Sequence, residues 1–318
     1  MTNVLAFSVF GVDWQLLKPF VVVGLAFGGV YALSGVGLVV LYRATGVLNV
    51  AFGAIGAAGA LIAYYLVNHT GWPHWLAYTI CVLFGGVVNL AYGMVFGPAF
   101  ARRDPLVKMM GTLGLALVLL GIMAWRAPAG GAFARFLPLP SSTHHYSIAG
   151  TTVSLTQIIC LGLGFVMTIA ITLFLQVTKL GTAMRALAND REVTAMLGVP
   201  VRQVEAAAWF GTGLLAGAAG LLLPDLLTSL DYSALTFLVI AAPLAAALIG
   251  RLRSLWATFF GGLAVGLIRA LLAPMAASPY KFMQELSTYR DDAPFVLAIV
   301  ALLWLSRHRV VTISRSTG

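Results

Sequence analysis

Long uninterrupted runs of apolar residues constrain this 318-residue chain more than any other feature of its sequence. A helix needs about 20 apolar residues to cross the hydrocarbon core of a bilayer. The runs occupy positions 19–41, 46–67, 75–97, 106–125, 155–177, 206–227, 234–250, 255–273 and 293–306. They are continuous and rich in Ala, Leu and Gly, which disfavours the alternating strands of a transmembrane barrel. The sequence therefore predicts an all-α, polytopic transmembrane helical bundle of about eight to ten spans.

Two of these runs are short for a span. The run at 234–250 is slightly short and the run at 293–306 is shorter still. A tilted, broken or re-entrant segment therefore stays open as an alternative at both places.

The composition excludes a water-soluble protein. Hydrophobic residues make up 60% of the chain and charged residues 9%, and the mean hydropathy is +0.96. Residues 1–318 are predicted to form a single transmembrane domain, so any function lies within or beside the bilayer. Cys81 and Cys160 both lie inside apolar runs. We expect two buried single thiols, and neither a disulfide framework nor a metal site.

The basic residues indicate how the chain sits in the membrane. A formal charge of +9 would suggest nucleic-acid binding in a soluble protein, but here the bases lie in short loops between apolar runs. We therefore expect contact with membrane lipid and no nucleic-acid partner. If the N-terminus is outside, thirteen bases fall inside and five outside, which predicts an outer N-terminus and an inner C-terminus. The inner bases are Arg43, Arg102, Arg103, Lys108, Lys179, Arg185, Arg191, Arg202, Arg251, Arg253, Arg307, Arg309 and Arg315.

Small residues recur four positions apart inside several runs. This spacing lets the backbones of membrane helices approach closely, so it predicts helix packing and no chemistry. The pairs are Gly24 with Gly28, Gly53 with Ala57, Gly213 with Gly217, and Gly262 with Gly266.

The most polar inner loop, residues 178–205, differs in kind from the rest of the chain. Apolar residues recur there at helical spacing in two stretches separated by a break. Asn189, with Glu192 three residues later, resembles a capping box that begins a second short helix, and Gly198 and Pro200 end it. The apolar positions are Met184, Leu187 and Ala188, then Val193, Met196 and Leu197. The loop is thus predicted to form two short helices with Arg185, Asp190, Arg191 and Glu192 directed outward.

A set of residues in and after this loop carries a resemblance to a known family: Gly181, Ala183, Arg185, Ala186, Asn189, Asp190, Ala195 and Gly198, followed by the apolar stretch Trp209–Leu222. With these residues, the loop resembles the cytoplasmic loop of branched-chain amino acid ABC transporter permeases. Further similar segments are Tyr31–Leu38, Gly46–Gly53 with Gly59, Thr112–Gly114, and Ala245–Gly250 through Gly266. Each pattern is weakly specific, but their order and spacing along one chain make the combined signal strong.

The resemblance implies a permease subunit of a bacterial importer in the cytoplasmic (inner) membrane. The expected cargo is a branched-chain amino acid or a related organic acid or amide. Expected partners are two cytoplasmic ATPase subunits, a second permease subunit that is identical or related, and an extracytoplasmic substrate-binding protein. No Gly-x4-Gly-Lys-Ser/Thr loop occurs in the sequence, so ATP and Mg²⁺ are expected on the ATPase, with no cofactor and no catalysis on this chain.

The resemblance also predicts which residues transmit force. In the family this loop contacts the ATPase, so closure of the ATPase would push the paired helices and rock the spans joined to them, alternating access to a midplane cavity. The predicted ATPase-coupling residues are Gly181, Ala183, Arg185, Ala186, Asn189, Asp190, Arg191, Glu192 and Gly198. An amphipathic loop that lies on the membrane surface is the alternative.

Two places are predicted to line the translocation path. Asn49 puts an amide in an apolar run, close to Phe52 and Gly53, and irregular backbone at membrane depth is tolerated where it lines a cavity. An interhelical hydrogen bond that only packs the bundle is the alternative. Family members often carry a His and an acidic residue where this chain has Phe52 and Ala54, which leaves the cargo class open.

Arg269 is the second place, because a charge within a run must find a partner, a cavity or the outer headgroups. A contact with another subunit and attraction of an anionic substrate both stay open.

Other functions lack the residues that they need. Ion-coupled secondary transport, the second hypothesis, usually places Asp, Glu or His within spans, whereas the acids here lie in loops or at run ends. An intramembrane enzyme needs a nucleophile with a base, or metal ligands. His144 and His145 are adjacent, but they lie in an outer loop without a nearby acidic residue.

Overall fold

A computed structural model of the protein describes residues 8–9, 12–100, 103–126, 137, 139–148, 150–227 and 231–314. These residues form twelve α-helices and two short hairpins. The helices are α1 (Trp14–Thr45), α2 (Phe52–Asn68), α3 (His74–Phe100), α4 (Pro105–Arg126), α5 (Leu155–Val177), α6 (Lys179–Asn189), α7 (Arg191–Met196), α8 (Val201–Leu227), α9 (Tyr232–Ile249), α10 (Leu255–Leu272), α11 (Lys281–Thr288) and α12 (Ala293–Ser314).

The strands are minor elements at the predicted outer side. Strand β1 (Ser8–Val9) pairs antiparallel with β2 (Val12–Asp13), and β3 (His145–Ile148) pairs antiparallel with β4 (Thr151–Ser154). Short 3₁₀ turns cover Pro140–Thr143 and Ala273–Ala277. The all-α, polytopic bundle predicted from the apolar runs is confirmed.

Seven helices are long and apolar enough to cross a membrane, and two shorter apolar helices, Phe52–Asn68 and Ala293–Trp304, accompany them. The chain is a multi-pass membrane protein. The predicted run at 234–250 is a continuous helix, α9, despite Pro243 within it. The run at 46–67 is the one that is interrupted, because Gly46 adopts a left-handed conformation (φ 69°) that ends α1 and α2 begins only at Phe52.

Helix α1 lies at the centre of the bundle and packs against α5, α8, α9 and α10. Its approach to α10 is closest where Gly28 faces Gly266, since a Cβ on Gly266 would overlap the backbone of Gly28. With no side chains between them, the two backbones come into van der Waals contact, which is how membrane helices associate without a hydrophobic driving force. The spacing-based prediction of close helix packing is confirmed at this pair.

The other small-residue pairs also lie at helix contacts. A Cβ on Gly53 would overlap the carbonyl oxygen of Thr236 in α9, and one on Gly213 would overlap the backbone of Gly85 in α3. The two thiols, Cys81 and Cys160, are free and buried, as predicted. The core that results is assembled from helix backbones at close range, and it fixes the position of the loop between α5 and α8.

Candidate functional site

The loop between α5 and α8 folds into two short helices, as the sequence predicts. Thr178 caps α6 by accepting a hydrogen bond from the Gly181 backbone N–H at 2.9 Å. Helix α7 ends at Met196, and Gly198 follows with a positive φ of 80°, the left-handed conformation that glycine adopts without a steric cost. The loop is therefore a defined helical pair and not a flexible connection.

The residue that begins the second helix differs from the prediction. Asn189 is the last residue of α6, and Asp190 caps α7 by accepting from the Val193 N–H at 3.0 Å. Asp190 also donates its own backbone N–H to Ala186 at the end of α6. The capping box expected between Asn189 and Glu192 was therefore wrong by one residue. Asp190, in an extended conformation, both ends α6 and begins α7, and its carboxylate is favourable at a helix N-terminus.

One face of α6 packs tightly against the spanning helices. Met184 and Leu187 are buried in a cluster with residues of α1, α5 and α8. Gly181 lies so close to the end of α5 that a Cβ there would overlap the Phe174 carbonyl oxygen. Ala183 and Ala186 are half-buried. Helix α6 therefore cannot shift independently of the spans that it touches.

Helix α7 is exposed along its apolar side. Val193, Met196 and Leu197 are 51%, 82% and 78% exposed, although their spacing repeats the pattern that is buried in α6. Asp190 and Glu192 are exposed beside them. We call Val193, Met196 and Leu197 the α7 tip. It presents apolar surface at a point remote from the bundle core, which is unusual unless something covers it.

Two basic residues of the loop turn back onto the bundle. The Arg185 guanidinium donates to the Gln176 backbone oxygen of α5 at 3.4 Å, and Arg191 forms a salt bridge with Glu205 of α8. The expectation that both point outward was therefore wrong. Each guanidinium finds a polar acceptor on the bundle, although Nε of Arg185 is buried without a hydrogen-bond partner among the described residues.

Asn49 lies in the irregular segment between α1 and α2 and is 2% exposed. Its amide donates to Oδ1 of Asn89 in α3 at 2.9 Å, and its own Oδ1 accepts from the Ala51 N–H at 3.0 Å. Asn89 in turn donates to the Trp209 backbone oxygen and to Thr212 of α8, at 2.6 and 3.0 Å. A buried polar network therefore joins the segment after α1 to α3 and α8. Sequence reasoning missed Asn89, although an amide within an apolar run was the available signal.

Thr112 of α4 supports the same segment. Its hydroxyl accepts from the Val50 N–H at 3.0 Å and donates to the Leu48 carbonyl at 3.3 Å. Phe52 is 1% exposed, in the core at the start of α2, and Gly53 packs on α9. The backbone groups of Val47, Leu48, Val50 and Ala51 in the interruption are thus bonded within the protein, which the membrane interior requires.

Arg269 lies near the opposite end of the bundle. Its guanidinium forms a salt bridge with Asp291 at 2.7 Å and stacks on the Phe27 ring at 4.5 Å. The side chain is 11% exposed, and its Nε has no hydrogen-bond partner among the described residues. It lines a cavity of about 200 Å³ with apolar walls that include Phe20, Val23 and Leu226. The predicted path residues therefore fall in two separate places, around Asn49 and around Arg269.

Residues predicted to share the inner side do lie together. Arg43, Lys108, Arg191, Arg251 and Arg253 come from four different parts of the chain and line one cavity of about 710 Å³. These bases therefore share one end of the bundle, as expected of loops on one side of a membrane. That this side is the inner one stays a prediction.

Comparison with known proteins assigns these features to one family. Residues 20–304 match the model of the permease component of branched-chain amino acid transport systems. A protein named a probable branched-chain amino acid transport permease protein, LivH, of Methanocaldococcus jannaschii is 26% identical over 80% of each chain. The high-affinity branched-chain amino acid transport system permease protein BraD of Pseudomonas aeruginosa is 25% identical, over 88% of this chain and 91% of its own. The corresponding permease protein LivH of Escherichia coli is 22% identical over the same shares.

Proposed function

Because this chain belongs to the family of branched-chain amino acid transport permeases, we propose that it is the membrane-spanning subunit of an ATP-driven importer. Its cargo is a branched-chain amino acid or a related small organic acid or amide. Energy comes from ATPase subunits on separate chains, which bind ATP and Mg²⁺, and the cargo moves by alternating access. The subunit itself catalyses no reaction.

The observation that carries this proposal is the exposure of the α7 tip next to a locked α6. A load applied to Val193, Met196 and Leu197 passes through the Asp190 turn to α6. Because Gly181 packs on the end of α5 and Leu187 is buried against the spans, α6 transmits that load to the bundle. An apolar tip of this kind suits a hydrophobic groove on an ATPase, in the way that short helices bind grooves elsewhere.

Two contacts between the helical pair and the bundle, one hydrogen bond and one salt bridge, support the same role. Arg185 ties α6 to α5, and Arg191 ties the start of α7 to α8 through Glu205. Displacement of the helical pair would therefore pull on the inner ends of both spans at once. Gly198 and Asp190 set the geometry of the pair, whereas Ala183 and Ala186 allow its close packing.

The cargo is proposed to pass between the Arg269 cavity and the segment around Asn49. The Arg269 cavity combines apolar walls with a buried cation, which matches a small solute that has an aliphatic body and a carboxylate. On the inner half, Asn49 lies in the non-helical segment between α1 and α2, and Phe52 and Gly53 are the first residues of α2. Rearrangement of that interruption would open the path inward.

The remaining partners follow from the family and the proposed topology. The N-terminus lies outside and the C-terminus inside the bacterial cytoplasmic membrane, with the α7 tip in the cytoplasm. A second permease subunit, identical or related, completes the membrane domain. A substrate-binding protein delivers the cargo from outside, to the side that carries Arg269 and Asp291.

Co-purification with the ATPase subunits tests the proposal. Met196→Asp and Leu197→Asp, in the exposed tip, should abolish ATPase retention and ATP-dependent uptake into proteoliposomes while the permease stays folded. Met196→Leu is the matched control and should retain both. Uptake by the purified chain without an ATPase, driven by a proton gradient, would instead establish secondary transport.

A further inference from the structure

The inner cavity lined by Arg43, Lys108, Arg191, Arg251 and Arg253 has an uncompensated charge. We call these five residues the basic basin. Among the described residues, Arg191 is the one base of the five that forms a salt bridge, with Glu205, whose charge also acts on Lys108. In the described part of the chain, the other four bases have no carboxylate within salt-bridge distance, and the cavity lining contains none.

The basic basin is a concave site formed by several elements of the fold, unlike bases scattered along a membrane surface. Its walls come from the end of α1, the start of α4, the α6–α7 pair and the turn between α9 and α10. Lys108 and Arg43 are half-buried. The charge of Arg253 acts on Arg43 and that of Arg191 acts on Lys108, so like charges repel each other here through a medium that screens less than bulk water. Four separate elements thus hold like charges around one space of about 710 Å³.

The turn between α9 and α10 is held in an unusual conformation. Arg251 and Leu252 both have φ of 54°, a left-handed backbone that costs energy for residues with a side chain. The Arg253 carbonyl accepts a hydrogen bond from Arg43 at 3.1 Å, and the Arg251 guanidinium stacks on Trp304 at 4.7 Å. These contacts hold the strained turn at the rim of the cavity, with its two arginines among the lining residues.

We propose that the basic basin binds a phosphate-bearing anion, either a soluble cytosolic phosphate compound or the headgroup of an anionic lipid. Several convergent Arg and Lys donors favour phosphate oxygens, which accept multiple charge-assisted hydrogen bonds. A single cargo carboxylate would need one or two such donors, so the charge exceeds what the proposed cargo requires. Basic pockets at the cytoplasmic ends of membrane helices bind anionic headgroups by the same chemistry.

Such a ligand would bridge the α6–α7 pair to the rest of the inner face. Arg191 lies at the start of α7, whereas Arg43, Lys108, Arg251 and Arg253 belong to the bundle. An anion in the basin therefore stabilises the arrangement seen here against movement of the pair. This regulation depends on the proposed function, but binding itself does not.

Binding is measured on the full-length chain in phosphatidylcholine nanodiscs, with inorganic pyrophosphate as the soluble probe. In a buffer with 150 mM chloride, the wild type should bind pyrophosphate saturably. Its affinity should be about tenfold higher than that of the variant Lys108→Gln/Arg253→Gln. Lys179→Gln/Arg202→Gln removes the same charge from exposed positions outside the basin. That control should stay within about twofold of the wild type, because exposed charges contribute little.

A second arm uses nanodiscs that contain cardiolipin. In native mass spectrometry, the wild type should retain cardiolipin and Lys108→Gln/Arg253→Gln should not. If cardiolipin also displaces pyrophosphate from the wild type, the ligand is a lipid headgroup. Saturable pyrophosphate binding without lipid retention identifies a soluble anion. The proposal is overturned if neither probe binds, or if the control variant loses binding equally. It is also overturned if the basin variant keeps both probes and loses only the ATPase, since the basin would then be a protein-docking surface.

Discussion

The side-chain amide of Asn49 donates to Oδ1 of Asn89 at 2.9 Å, which joins the interrupted segment after α1 to the interior of α3. Both residues are almost completely buried. Asn89 passes the connection on to α8 through Trp209 and Thr212. An interruption in the spanning helices is thus held by an explicit polar network, which is the arrangement required of any irregular backbone at membrane depth.

The Asn49–Asn89 pair should show measurable coupling. Asn49→Leu leaves Oδ1 of Asn89 without its donor, and Asn89→Leu leaves the Asn49 amide N–H without its acceptor, so each should lower the free energy of unfolding by about 1–2 kcal/mol. Their coupling in a double-mutant cycle should be about 0.6–1.7 kcal/mol, measured by unfolding in mixed micelles. Thr168→Val is the control, since the Thr168 hydroxyl donates to the Gly164 carbonyl of its own helix. Additive effects of the two Asn substitutions would contradict a direct bond.

The contact between Gly28 and Gly266 should tolerate no added methyl group. Gly266→Ala would push α1 and α10 apart, at a cost of about 1–3 kcal/mol in unfolding free energy, because overpacked helices must shift. Gly121→Ala is the matched control in α4, where a Cβ meets nothing within 4 Å. Its unfolding free energy should be unchanged or slightly raised, since Ala favours helix over Gly. Equal losses from both substitutions would indicate that general helix propensity, and not this contact, sets the effect.

Gly181 should separate ATPase activity from transport. Gly181→Val places a side chain against the Phe174 carbonyl oxygen and displaces α6 from α5, while the exposed α7 tip stays intact. We expect the complex with the ATPase to form and ATP hydrolysis to continue, whereas ATP-dependent uptake should be strongly reduced because α6 no longer moves with α5. Thr182→Val, at an exposed neighbouring position, should leave uptake near the wild-type level. Normal uptake in Gly181→Val would contradict transmission through the α5–α6 contact.

Arg269 should matter through its own charge and not through its salt bridge. Arg269→Gln removes the less exposed of two cations that line the cavity, the other being Arg290. If Arg269 binds the carboxylate, uptake in proteoliposomes should fall by about tenfold or more. Arg269→Lys should retain part of the activity. Asp291→Asn keeps Arg269 and removes the carboxylate that pairs with both Arg269 and Arg290, on a side chain that is 60% exposed. Because exposed salt bridges contribute little, uptake should be nearly normal. Normal uptake in both Arg269 variants would remove any specific role for this residue.

The sequence by itself determined the architecture and the helical pair in the 178–205 loop. Apolar runs of spanning length have few stable alternatives in a bilayer, because every backbone polar group must be satisfied within its own segment. The apolar residues at helical spacing in the polar loop also predicted its two helices. The structure differs in the cap, which is Asp190 and not Asn189, and in Arg185 and Arg191, which turn back onto the bundle. These features depend on residues close together in the chain.

Only the tertiary structure decided which surfaces and partners those residues have. The same apolar spacing is buried at Met184 and exposed at Met196, because burial depends on which spans reach the loop. Asn89 acquires its role only by facing Asn49, and the basic basin exists only because four distant segments meet at one end of the bundle. The local pattern of apolar and polar residues determines where the helices form. Which side chains meet between helices depends on long-range packing, which is set by glycine contacts such as Gly28 with Gly266.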